Sequence, residues 1–239
     1  MPLQVKDTTG RFGTRPHFEP EELDSECETI IRSFLLEYKK SIQYPINTDD
    51  LTKLIEKDAS DLDLYADLSG LGTDVEGVTE FNPGGKPTVR ISHLLSDDTR
   101  RENRFRTTLT HEYGHVRFHT YLWDLKVNQQ GLFDGPSQKS GPMACKRENI
   151  LQARQSDWME WQAGYICGAL LMPKTPLKQF VDEFYTEHKI FSPIQKDSPY
   201  ALSLIDAVSI KFQVSNEAAQ VRLSKLNFLK SGSNRSLWG

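Results

Sequence analysis

Apolar residues first recur in this chain at helical spacing. From Pro20, the segment P-E-E-L-D-S-E-C-E-T-I-I-R-S-F-L-L-E-Y-K-K sets Leu23, Cys27, Ile30, Ile31, Phe34 and Leu35 on one side. Acids open it and lysines close it, so its charges complement the dipole of a helix. A second, shorter helix follows Asn47 or Thr48 as cap and turns Leu51, Leu54 and Ile55 inward. The period then drops to two. L-D-L-Y-A-D-L alternates over residues 62 to 68, and G-V-T-E-F and T-V-R-I-S flank the turn N-P-G-G-K-P. These predict two or three antiparallel strands, with 77–81 and 88–92 as a hairpin. Helical spacing returns from about Asp98 to Thr120, and again over 154–172, 175–188, 199–213 and 215–229.

Between these elements the pattern is weak. Residues 1–19 have no period and are expected to form a flexible tail, and 231–239 a frayed end. Residues 121–152 hold Gly131, Gly135, Pro136, Gly141 and Pro142 and read as a long loop or insertion. The expected class is α+β, a small antiparallel sheet packed with helices. The main domain is expected over 20–198, with a helical segment over 199–230.

The helical stretch before residue 120 carries the most chemistry: T-T-L-T-H-E-Y-G-H-V-R-F-H-T holds three of the chain's six histidines. At ~100° per residue, His115 lies ~40° and His119 ~80° from His111 on a helical wheel, with Glu112 at ~100°. Phe105, Leu109, Tyr113 and Val116 form a separate apolar stripe. Two imidazoles one turn apart can each place a nitrogen ~2.0–2.1 Å from one zinc ion. The intervening Glu112 is turned off the ligand line, where it can deprotonate a water held by the ion and carry the proton to a leaving amine. The bland alternative is a solvated helix face that happens to carry histidines. His119 stands eight residues after His111; it is an accessory candidate that braces the site or touches substrate, or else a satisfied structural histidine.

A catalytic zinc takes a third protein ligand, and the best candidate lies in D-W-M-E-W-Q-A-G-Y-I-C-G-A-L-L-M-P. Glu160 shares a helix side with Ala163, Gly164, Cys167, Gly168 and Leu171. Small residues along that side would let this helix approach the first closely enough for the carboxylate to reach the ion. The alternative is a surface glutamate.

Composition narrows the setting. The chain has 239 residues, 37% hydrophobic and 10% aromatic, enough for a core. Its formal net charge of −4 argues against a broad nucleic-acid surface. Three cysteines, Cys27, Cys145 and Cys167, are too few for a disulfide framework and fit a reducing compartment. With no apolar signal core or membrane-length run, the expected location is the cytoplasm. Cys145, inside the long loop, could place a thiolate on an open metal position, but a lone cysteine usually has no such role.

Three segments together resemble the ImmA/IrrE family of zinc metallopeptidases: R-F-R-T-T-L-T-H-E-Y-G-H-V-R-F-H, E-W-Q-A-G-Y-I-C-G-A-L-L-M-P and F-Q-V-S-N-E-A-A-Q-V-R-L-S-K-L. The likeness spans about residues 46 to 229. It implies a zincin-like, gluzincin-type arrangement with zinc on His111, His115 and Glu160 and with Glu112 as base. It also implies a protein substrate, since members typically cleave helix-turn-helix repressors of the XRE type. Two departures stand out. Family members commonly have Asn or Asp four residues after the ligand glutamate, where this chain has Gly164. A partner for a ligand histidine would then come from elsewhere, with Asp157 as candidate. The interval from His115 to Glu160 is also long for the family, which marks 121–152 as an inserted loop over the cleft.

Two further features remain. T-V-R-I-S could offer an edge to an extended substrate. The last two helices meet at V-S-N much like a helix-turn-helix, but the second brings only Arg222, Lys225 and Lys230 as cations, which favours packing or substrate docking over DNA. The competing function is a non-catalytic regulator that binds a repressor or DNA through the same fold.

Overall fold

The computed structural model describes residues 3–72, 74–82, 84–130, 143–146 and 157–230, with the side chains of 127–130 and 143–146 outside the description. The main chain runs β1 (Leu3–Lys6), β2 (Thr14–His17), α1 (Pro20–Lys39), α2 (Thr48–Asp58), β3 (Asp61–Ala66), β4 (Val75–Glu80) and β5 (Thr88–Ser92). It continues through α3 (His93–Ser96), α4 (Glu102–Gln130), β6 (Met143–Lys146), α5 (Trp158–Leu171), α6 (Lys174–Glu187), β7 (Ile194–Gln195), α7 (Pro199–Phe212), α8 (Asn216–Lys225) and β8 (Leu229–Lys230). The fold is α+β. Among the described residues no helix is long and apolar enough to cross a membrane.

Local chemistry sets the helix starts. Glu19 and Glu22 form a reciprocal capping box on α1, and the Asn47 side chain accepts from the Asp50 amide at the start of α2. Ser198 and Ser215 cap α7 and α8 in the same way. The spacing reading ends α4 near Thr120, but the helix runs on to Gln130, burying Leu122 and Trp123 against Phe81 and Trp158.

The principal sheet has the order β3-β5-β4-β6. β4 and β5 form the expected antiparallel hairpin, Gly77 facing Ile91 and Glu80 facing Thr88. β3 departs from expectation and pairs parallel to β5, with Asp61 opposite Thr88. T-V-R-I-S is therefore an inner strand and has no edge to offer. β4 carries β6 on its other side, with Gly77 opposite Cys145.

The expected tail is also ordered in part: β1 and β2 pair antiparallel, with Leu3 opposite His17. Neither strand has apolar alternation to announce it. Side-chain contacts hold the hairpin instead. Asp7 accepts from the Thr9 and Phe12 amides and from Trp158 Nε1 at 3.1 Å, and Phe12 packs edge-on against Trp123 and Trp158. The expected frayed end, 231–239, and most of the expected loop, 121–152, lie outside the described residues.

The main core joins α1, α2, α4, α5 and the C-terminal helices around Leu23, Ile31, Leu109, Ile166, Leu204 and Leu223. Two buried arginines tie the C-terminal helices to it. Arg106 of α4 donates from Nε to the Gln213 carbonyl at 3.0 Å, at the end of α7. Arg222 of α8 pairs with Asp24 of α1 at 2.7 Å and donates to the Met172 carbonyl after α5 at 3.1 Å. Removing one member of such a buried pair leaves the other charge uncompensated. Arg222→Ala should therefore lower unfolding stability by about 3–5 kcal/mol, read from urea unfolding. A loss below 1 kcal/mol would show the pair to be marginal.

Candidate metal centre

α4 is buried on nearly every side where it carries chemistry. His111, Glu112, His115 and His119 are all 0% exposed, which rules out the solvated-face reading of the histidine strip. α5 packs directly on it. A Cβ added at Gly114 would stand 3.2 Å from Ala163 Cα and 3.3 Å from Ile166 Cγ2, so the two backbones lie close together there. The sequence reading looked for the small residue on α5; the tight contact needs one on α4 as well. Thr110 Oγ1 donates to Cys167 Sγ at 3.2 Å, and Cys167 Sγ donates to the Thr107 carbonyl at 3.4 Å, a turn further along the same seam.

This approach brings Glu160, buried at 3% exposure, onto the histidines. His111 Nε2 lies 3.2 Å from Glu160 Oε2, His115 Nε2 lies 3.3 Å from Glu160 Oε1, and the two Nε2 atoms lie 3.2 Å apart. Burial pushes the Glu160 carboxyl up, but the adjoining His115 and His111 rings outweigh it and hold the group well below the usual carboxylate range. His111, His115 and Glu160 thus form a buried group whose ligand atoms could hold one metal ion.

The spacing fits such an ion. Tetrahedral bonds of ~2.0–2.1 Å to nitrogen and oxygen separate neighbouring ligand atoms by roughly 3.3 Å. Two neutral imidazole nitrogens aimed at one point also repel unless a proton or a cation lies between them. A cation answers both the spacing and the repulsion.

The base candidate is placed by β4. Thr79 Oγ1 donates to Glu112 Oε2 at 2.6 Å. A Cβ at Gly77 would stand 2.5 Å from Glu112 Oε1 and 2.9 Å from its Cγ, so only glycine leaves room for this carboxylate. The sequence reading missed both residues. Their signal was a Gly and a Thr two apart on a strand, legible only once that strand was known to lie against α4.

The accessory candidates separate. His119 is buried beside His115, Nδ1 to Nδ1 at 3.0 Å, and its Nε2 meets Gln162 Oε1 at 3.0 Å. Burial, then the neighbouring His115 ring, hold its pKa down to about 3, so it is neutral at physiological pH. Asp157 is not a histidine partner: it pairs with Arg11 at 3.3 Å, because the ordered hairpin brings that cation to the start of α5. Cys145 lies on β6, opposite Gly77 in the backbone register, and its side chain is outside the described residues. Tyr113 and Tyr165 point away, donating to Asp58 at 2.8 Å and Asp24 at 3.0 Å.

Residues 73–224 match the model of the peptidase M78 family, the IrrE N-terminal-like domain. The chain belongs to this family. The match takes in β4, α4 and α5, and so every residue of the metal group and its glutamate. No curated protein matched the chain. Membership marks it as a metallopeptidase, in keeping with the buried His-His-Glu group.

Metal loading is directly measurable. Protein dialysed against zinc should retain one ion per chain by emission spectroscopy. Metal at ~1,000 times its Kd should add about 4 kcal/mol to unfolding stability. Retention of full stoichiometry in both His111→Ala and Glu160→Ala would sink this assignment.

Proposed function

We propose that this M78 member is a zinc-dependent endopeptidase, with the ion on His111, His115 and Glu160 and with Glu112 as general base. Bound zinc would lower the pKa of a coordinated water towards neutrality and polarise the scissile carbonyl. Glu112 takes a proton from the attacking water and delivers it to the departing amine nitrogen as the C–N bond breaks. Thr79, through its 2.6 Å donation to Oε2, fixes the rotamer in which the carboxylate does this. The single observation that carries the reading is a fully buried glutamate beside the metal group, with a strand glycine cleared for it. Burying a carboxylate is costly, and a metal site alone would not require this one.

The substrate we propose is a protein, specifically an XRE-type helix-turn-helix repressor in the cytoplasm. The support is the resemblance of the three sequence segments to repressor-cleaving members. The C-terminal helices favour protein docking over direct nucleic-acid binding, because Arg222 is spent on a buried ion pair with Asp24.

The experiment is incubation of zinc-loaded protein with a purified XRE-type helix-turn-helix repressor, read by mass spectrometry. Glu112→Gln should slow cleavage about 10²–10⁴-fold with zinc content unchanged. Gly77→Ala, whose new Cβ would meet Glu112 Oε1, should also cut the rate and keep the metal. Cleavage at the wild-type rate in Glu112→Gln would reject the base. Repressor binding without cleavage by the wild type would identify a non-catalytic regulator instead.

A further inference from the structure

His115 has a second ring nitrogen, and its hydrogen bond decides whether Nε2 has a lone pair for a metal. The relay that fixes it can be read from its far end. Gln162, almost fully buried, places Nε2 3.3 Å from the Pro16 carbonyl and Oε1 3.0 Å from His119 Nε2. The opposite amide orientation would set two acceptor oxygens against each other at Pro16, so the amide nitrogen faces the carbonyl. Gln162 Oε1 must then accept, and His119 carries its proton on Nε2. In the neutral ring Nδ1 is left as an acceptor. At 3.0 Å from it, His115 Nδ1 must be the donor. His115 Nε2 is thereby stripped of its proton on the side facing His111 and Glu160.

We propose that His119 and Gln162 are positioning residues that lock His115 in its metal-binding tautomer, with the Pro16 carbonyl as the fixed end of the relay. The inference rests on the metal-site reading above and adds to it the groups that orient one ligand. His111 makes a telling contrast: its Nδ1 is buried with no hydrogen-bond partner among the described residues. Trp158 backs His119 edge-on, ring centres 5.5 Å apart, and Arg15 lies 5.2 Å over that same Trp158. The hairpin that supplies Pro16 also grips α5 through the Arg11–Asp157 pair. The N-terminal hairpin therefore sets the state of a metal ligand on α4 through Gln162 of α5 and His119.

Long-range proton–nitrogen NMR correlation on the zinc-loaded full chain reads the tautomers with no substitution. His115 is expected with its proton on Nδ1 and His119 with its proton on Nε2; the reverse arrangement at either ring overturns the proposal. Zinc competition titrations provide the second readout. His119→Ala and Gln162→Leu should each weaken binding about 10–100-fold. His119→Gln, whose side-chain carbonyl can still accept from His115, should recover most of that loss. A packing role alone would lower the metal-free melting temperature and leave the zinc affinity of all three variants at the wild-type value, which refutes the relay while sparing the metal site. Absence of zinc binding by the wild type would overturn the metal-site reading, and the relay with it.

Discussion

The close approach of α4 and α5 is the constraint from which the site follows. Glu160 can meet His111 and His115 only if the two helix axes come together where Gly114 faces Ala163. A side chain at Gly114 would force the backbones apart and pull the carboxylate from both rings. The rest of the fold keeps that seam shut: Cys167 and Thr110 join it one turn away, and Arg222 ties the end of α5 to α1 and α8. Ridge-into-groove packing between larger side chains would hold the axes at the ordinary helix–helix distance, too far for this contact.

Around that seam the interior is more polar than a core needs. His111, Glu112, His115, His119, Glu160 and Gln162 are all buried, with Thr79 and Thr108 among them. Each such group loses its hydration, and each must recover it through a partner or weaken the fold. Most recover it from one another, in a chain from Pro16 through Gln162 and His119 to His115, and from Thr79 to Glu112. The lining of the His111–His115–Glu160 group is different, since two ring nitrogens and a carboxylate converge there on one another at 3.2–3.3 Å. A stable core would not be assembled this way for its own sake, and local conflict with global stability is where function is expected.

Much of this was legible in the chain alone, because the relevant signals are local. The four-residue interval from His111 to His115 puts both rings on one helix face, and the strip of small residues beside Glu160 marks a packed helix. What escaped reading depends on contacts between distant segments. Gly77 and Thr79 carry no signal until β4 lies against α4, where one makes room for Glu112 and the other donates to it. Gln162 reads as a polar residue near the start of a helix. The hairpin of β1 and β2 has no apolar alternation, and what orders it is Asp7, Arg11 and Phe12 meeting Trp158 and Asp157, roughly 150 residues away. The parallel pairing of β3 is a long-range choice too, since alternation fixes which face is buried but not the direction of the neighbour.

One departure from the family pattern gains a physical meaning from these contacts. Four residues after Glu160, where the sequence resemblance leads one to expect Asn or Asp, this chain has Gly164, which can hold no histidine in place. Asp157, the nearest acidic alternative in sequence, is occupied by Arg11. The orienting bond comes instead from α4 itself, where His119 lies one turn beyond His115. A histidine can serve there only if its own proton is placed, and so the demand passes to Gln162 and then to Pro16. Pro16 lies outside residues 73–224, the part of the chain that matches the family. The metal group is therefore complete within the matched region, but the polarity of one of its ligands is set from beyond it, by a hairpin held on through aromatic and ionic contacts.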